Sequence, residues 1–186
     1  MQVGTTFKPA DRAGWRAWLE RNHRTATEIW LLLEDRPEDG GLSYLDVVEE
    51  AICFGWIDGL QKRYSDHERA QRLTPRKRRG NWTELNKERA RRLIGLGLMT
   101  DSGHAVLPDL SAQFTVASDI EDALKTQPDA WSNFVAFPDL YRRVRVGYIE
   151  EVRKQPVEFD RRLGNFVTKT ARNQMFGNWN DGGRLG

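Results

Sequence analysis

The apolar positions fall into short periodic blocks separated by turn chemistry. After Pro9-Ala10-Asp11, residues Trp15, Trp18 and Leu19 recur at the spacing of one helical face, and Asn22 stops the pattern. The two tryptophans read as core. The run Glu28-Ile29-Trp30-Leu31-Leu32-Leu33-Glu34 has the length of a buried strand, and Asp35 to Gly41 reads as a loop. Ser43 opens a second helix with Asp46 three residues on, a capping-box pair. Leu45, Val48 and Ile52 share its face, and Gly55 closes it. Trp56 to Tyr64 and Glu68 to Thr74 read as the arms of a hairpin turned at Ser65-Asp66-His67 and stopped by Pro75, which has no N–H to pair.

A third helix is predicted from Asn81 as cap, with Trp82 in its first position, Glu84 in its third and Leu85, Leu93 and Leu96 as its stripe; Gly97 ends it. Met99 to Gly103 reads as a short helical stretch. Beyond it, 120–127, 128–137, 138–154 and 156–173 are predicted helices, the last three with proline near the start. The expectation is an α+β fold: a small antiparallel sheet of about three strands packed with helices, then a helical C-terminal region. The boundaries expected are 1–103 for the α+β part, 104–176 for the helical part and 177–186 for a flexible tail.

Composition changes this picture little. Of 186 residues, 39% are hydrophobic and 30% charged, the balance of a globular chain. No apolar run approaches the roughly 18 residues that span a bilayer. The N-terminal residues lack the apolar stretch of a signal peptide. Cys53 is the sole cysteine, so no intramolecular disulfide forms, and a reducing, cytoplasmic setting is expected. Its apolar neighbours mark it as a buried structural thiol. His23, His67 and His104 have no metal-ligand spacing; neither metal nor cofactor is expected.

Charge is more informative. The net +2 divides into −5 over residues 1–61, +8 over 62–92 and −1 over 93–186. The positive segment runs into the predicted third helix, whose free N–H groups favour an anion. Strand alternation places Trp56, Asp58, Leu60 and Lys62 on one face, and Arg72 and Thr74 on one face of the returning arm; the register between the arms stays open. Arg72, Thr74, Arg76 and Lys77 are the candidate anion contacts, with Lys62 beside them. Trp56 and Trp82 are candidate walls, and Asp58 and Asn86 candidate orienting groups. Asp58 is also the candidate general base, against the plainer reading of a salt bridge to Lys62, Arg72 or Arg76.

Several motifs resemble the YdeI/OmpD-associated family. They are Trp30 in the first predicted strand, Ala51-Ile52-Cys53-Phe54-Gly55-Trp56-Ile57-Asp58-Gly59, Arg72-Leu73-Thr74-Pro75-Arg76-Lys77, Asn81-Trp82 with Asn86, and Gly97 to Gly103. The resemblance is strong over about 13–103 and weaker beyond, where Gln155-Pro156-Val157-Glu158 departs from the pattern. It implies a role in bacteriocin or stress protection and carries no catalytic residue. The ligand expected is an anionic or phosphorylated small molecule. A protein or cationic-peptide partner, bound through Glu34-Asp35 and Glu38-Asp39, ranks next. A small hydrolase or resistance-pathway tailoring enzyme using Asp58 follows, and a nucleic-acid ligand comes last.

Overall fold

The computed structural model describes residues 2–35 and 41–185. It divides into two compact units: Met1–Asn81 with Ala90–Pro108, and Trp82–Arg89 with Asp109–Gly186.

The first unit is α+β. Its elements in chain order are β1 (Thr6–Phe7), α1 (Arg12–Asn22), β2 (Ile29–Glu34), α2 (Tyr44–Cys53), β3 (Trp56–Arg63) and β4 (Glu68–Pro75). The strands form one mixed sheet in the order β1-β2-β4-β3, parallel only between β1 and β2. It has four strands where about three were expected, because two-residue β1 is too short to show a period. Asp11 caps α1 by accepting the Gly14 N–H at 2.7 Å. The capping box of Ser43 and Asp46 starts α2 as expected, and Gly55 leaves it at φ +73°. Trp15, Leu19, Leu31, Ile52, Trp56 and Leu73 form the most buried part of this unit.

Charge is buried in the first unit as well. Glu49 and Glu50 on α2 are 1% and 2% exposed. Glu50 accepts from Arg12 Nε at 2.6 Å and Arg16 Nη1 at 2.8 Å. Glu49 accepts from Arg12 at 2.7 Å and Arg92 at 3.0 Å. Each buried carboxylate thus meets two guanidiniums.

The third helix, α3 (Glu84–Gly95), starts later than expected. Thr83 Oγ1, not Asn81, accepts the N–H of Asn86 at 3.1 Å. The Asn81 carbonyl instead accepts from Arg76 Nη1 at 2.8 Å. A short helix, α4 (Asp101–His104), follows, capped by Thr100.

The second unit is helical. Besides the start of α3 it holds α5 (Ser118–Lys125), α6 (Ala130–Ala136), α7 (Asp139–Glu150) and α8 (Pro156–Ala171). Pro156 occupies the first position of α8, where the missing N–H is harmless. Ile120, Leu124, Phe134, Tyr141, Phe166 and their neighbours make one core, with Phe134 edge-on to Phe166 at 6.0 Å. The tail expected to be flexible is packed. Asp181 is 4% exposed and accepts from Arg89 Nε and Nη2 at 2.7 and 2.8 Å, and Leu185 packs with Leu140 and Val144. A glycine-rich composition does not reveal this, because the contacts come from residues far away in sequence.

Candidate functional site

The hairpin forms, but it does not gather the expected residues. Asp58 stands opposite Leu73, so Arg72 and Thr74 lie on the other face of the sheet from Asp58. The register then jumps, and Gln61 opposes Gln71. Gly59 and Leu60 together face Arg72, a bulge that reverses the alternation. Lys62, opposite Ala70, therefore departs from the face of Trp56 and Asp58 on which alternation alone had placed it. The bulge is tied by Gln71, 2% exposed, whose Nε2 donates to the Gly59 carbonyl at 3.0 Å.

The individual residues follow suit. Trp56 is a core residue, 1% exposed, with Nε1 donating to the His23 carbonyl at 3.2 Å, and is no ligand wall. Arg72 is engaged by Glu28, its Nε at 2.9 Å and Nη2 at 2.5 Å from the same oxygen, which removes its charge from the anion site. Thr74 is half-buried opposite Ile57. Arg76 is turned inward at 6% exposure; burial lowers its pKa to about 10, against the opposing pull of Asp58. Lys77 is exposed, in a turn closed by the Gly80 N–H on its carbonyl at 2.8 Å. Trp82 and Asn86 fall in the second unit, where the Asn86 amide oxygen accepts from Arg89 at 2.7 Å.

Asp58 has a partner the sequence did not suggest. The Tyr44 phenol donates to its carboxylate at 2.5 Å. The pair borders a cleft of about 620 Å³ whose lining includes Ser43, Gln61 and Gln71. Of the acidic patch, Glu34 pairs with Lys8 at 2.9 Å, and Asp35 pairs with Arg63 and Arg69 at 2.7 and 2.5 Å. Glu38-Asp39 lies outside the described residues. Cys53 is buried, and that burial, with Glu50 beside it, pushes the thiol up to about 12, as a structural cysteine requires.

A different arrangement of cations stands in the second unit. On α7, Arg145, Tyr148 and Ile149 are spaced i, i+3, i+4, so they share a face. On α8, Arg161 with Asn165 and Arg162 with Phe166 repeat at i+4. These residues and Phe176 line a cavity of about 350 Å³. Arg161 and Arg162 share the carboxylate of Glu158, each at 2.7 Å, and the two arginines draw its pKa down to about 2. Arg162 also lies over the Tyr148 ring at 3.7 Å, with Glu151 4.0 Å away.

Arg145 is held differently. Its guanidinium lies 5.2 Å from the Tyr148 ring centroid and 5.1 Å from that of Phe176. Its Nε is buried without a hydrogen-bond acceptor, and no carboxylate pairs with it among the described residues. Burial, with Arg162 nearby, lowers its pKa against the pull of the two neighbouring tyrosines. Gly177 closes one side at φ +73°, and a Cβ there would stand 2.6 Å from Arg145 Nη1. Tyr141-Arg142-Arg143-Val144-Arg145 was the signal available in the sequence. Periodicity could not tell Arg145 from Arg143, which is satisfied by Asp139 and Glu88 at 2.7 and 3.0 Å.

The comparisons with known proteins divide along the same line. Residues 7–106 match the family model described as Domain of unknown function (DUF8412). Residues 113–173 match the model described as Bacteriocin-protection, YdeI or OmpD-Associated. No curated protein and no solved structure matches the chain. The YdeI/OmpD-associated match thus falls on the helical residues 113–173, where the sequence resemblance is weaker, while the motif segment lies within the DUF8412 match. The chain belongs to the DUF8412 family, whose model covers more than half of it, and its residues 113–173 are similar to the bacteriocin-protection, YdeI or OmpD-associated model.

Proposed function

We propose that the chain is a stress- or bacteriocin-protection protein that works by binding a small organic anion, and that the anion sits in the Arg145 cavity. The observation that carries this reading is a half-buried arginine whose Nε is buried without an acceptor and which has no carboxylate partner among the described residues, lining a cavity with two further arginines and aromatic rings. A buried cation is costly until something compensates it, and a ligand anion would do so. The planar fork of arginine suits a carboxylate or phosphate, and Phe166 and Phe176 suit an apolar group attached to it. The basic loop is weaker support for anion binding, since Arg72 is paired and Arg76 points inward. The proposed setting is cytoplasmic, in keeping with a lone buried thiol.

The test is calorimetric titration with benzoate, phenyl phosphate and inorganic phosphate, using the wild type, Arg145→Met and Arg76→Met. Saturable binding lost in Arg145→Met and kept in Arg76→Met supports the reading. Binding that Arg145→Met leaves intact, or no binding of any of the three, overturns it.

A further inference from the structure

The sequence contains no adjacent histidine and nucleophile, but the first unit assembles such a pair from residues 79 positions apart. His23 follows the last turn of α1, and its main-chain N–H bonds the Leu19 carbonyl at 2.9 Å. Its ring Nδ1 approaches the same carbonyl at 2.8 Å. A carbonyl only accepts, so Nδ1 carries the proton. The lone pair of Nε2 is then directed at Ser102 Oγ, 2.9 Å away, and the serine hydroxyl is the donor. The ring is further steadied by Phe54, edge-on at 5.2 Å. A base in hydrogen-bond reach of a hydroxyl, itself oriented by a third group, is the arrangement that activates a serine.

The placement of Ser102 is equally rigid. Thr100 donates to the Cys53 carbonyl at 2.6 Å and caps Gly103 at 3.3 Å. A Cβ on Gly103 would stand 2.3 Å from the Cys53 oxygen, and one on Gly55 would stand 2.6 Å from the Ser102 oxygen. The end of α2 and the turn of α4 therefore meet backbone to backbone, and only glycines fit. Two stretches whose residues stood out in the sequence, Cys53-Phe54-Gly55 and Thr100 to Gly103, converge on this pair. The pair is accessible: His23 and Ser102 line a surface cavity of about 240 Å³ with Glu20, Arg24, Phe54 and Asp101. Arg24 shares the lining and has no carboxylate partner among the described residues, the charge type that would stabilise an oxyanion formed there.

We propose that His23 and Ser102 are the base and nucleophile of an acyl-transfer site for short-chain carboxylic esters, a second function separate from anion binding. Ser102 Oγ forms a bond to the ester carbonyl carbon as its proton passes to His23 Nε2. The tetrahedral intermediate collapses with cleavage of the acyl–oxygen bond, and the departing alcohol takes the proton from Nε2. Water then adds to the acyl-serine, giving a proton to Nε2. Ser102 leaves with that proton, and a carboxylic acid is released. Ester and water become acid and alcohol with no change of oxidation state. The small volume limits the acyl group to a few carbons.

The experiment is labelling with a small alkyl fluorophosphonate, followed by intact-mass and peptide mass spectrometry, with p-nitrophenyl acetate hydrolysis in parallel. The expected result is one adduct on Ser102, absent in Ser102→Ala. The labelling rate should fall about 100-fold in His23→Gln, the scale of general-base assistance. His23→Gln keeps a polar side chain at the helix end, and circular dichroism of both variants checks that they fold. A serine that merely ties α4 to α1 would stay unlabelled. An unlabelled wild type, or equal labelling in His23→Gln or at another residue, overturns the proposal.

Discussion

Two groups of arginines, one in each unit, are compensated in opposite ways. In the first, Arg12, Arg16 and Arg92 close around Glu49 and Glu50, and every buried carboxylate finds two guanidiniums. In the second, Arg145 has aromatic rings where a carboxylate would be expected. The first arrangement holds three helices in place and leaves nothing for a ligand. The second leaves an electrostatic deficit that a ligand can fill. A count of arginines, or the density of charge along the chain, points to the basic segment 62–92 instead, where geometry has already spent much of the charge.

The largest effect separates the two arrangements directly. Glu50→Ala removes two charge-assisted contacts, while Arg12 keeps Glu49 and Asp46 and Arg16 keeps Glu20, and should lower the unfolding free energy by about 3 kcal/mol. Arg145→Met removes a cation with no carboxylate partner among the described residues and should stay within about 1 kcal/mol of wild type. Urea unfolding of both variants checks this, and equal losses would erase the distinction between the units.

The second unit has its own paired charge, and pH probes it. Burial raises the pKa of Asp181, but Arg89 outweighs that and holds the carboxyl below its ordinary 3.8. A depressed folded pKa gives stability that is complete above the unfolded value and is lost as pH falls through the folded one. The contact should therefore hold at pH 5 and weaken progressively below 3.8. Asp181→Asn should remove that part of the acid dependence, read as urea midpoints between pH 3 and 5.

Glycine substitutions sharpen the contrast on a smaller scale. Gly55→Ala forces a side chain at φ +73° against the Ser102 carbonyl and should cost about 2 kcal/mol. Gly177→Ala meets the flexible end of Arg145 and should cost about 1 kcal/mol. Its larger consequence should be a loss of about tenfold in anion affinity, because the guanidinium is displaced. Thermal melts and calorimetry separate the two outcomes. The smallest effect concerns Cys53, whose pKa is pushed up to about 12. Iodoacetamide at pH 8 should leave it unmodified in the native protein and alkylate it in urea; rapid native alkylation would mean that the α2 end opens.

The sequence by itself determined the elements whose cause is local. The Ser43–Asp46 capping box, the Asp11 cap and the proline-led α8 formed as the pattern required, since each depends on residues within a turn of one another; the hairpin formed too, but its pairing runs on past Thr74, with Pro75 opposite Trp56 and the Arg76 N–H on the Gly55 carbonyl. A cap shifted from Asn81 to Thr83 marks the limit of that locality, because both residue types can cap a helix. Only the tertiary structure decided the sites. A two-residue bulge turned Lys62 away from Asp58, Glu28 reached across 44 positions to Arg72, and the Leu19 carbonyl fixed a histidine opposite a serine 79 positions away. Periodicity shows which face a side chain takes along its own element. It carries no record of which distant carboxylate, ring or hydroxyl arrives on that face, and that arrival decides whether a charge is satisfied or left for a ligand.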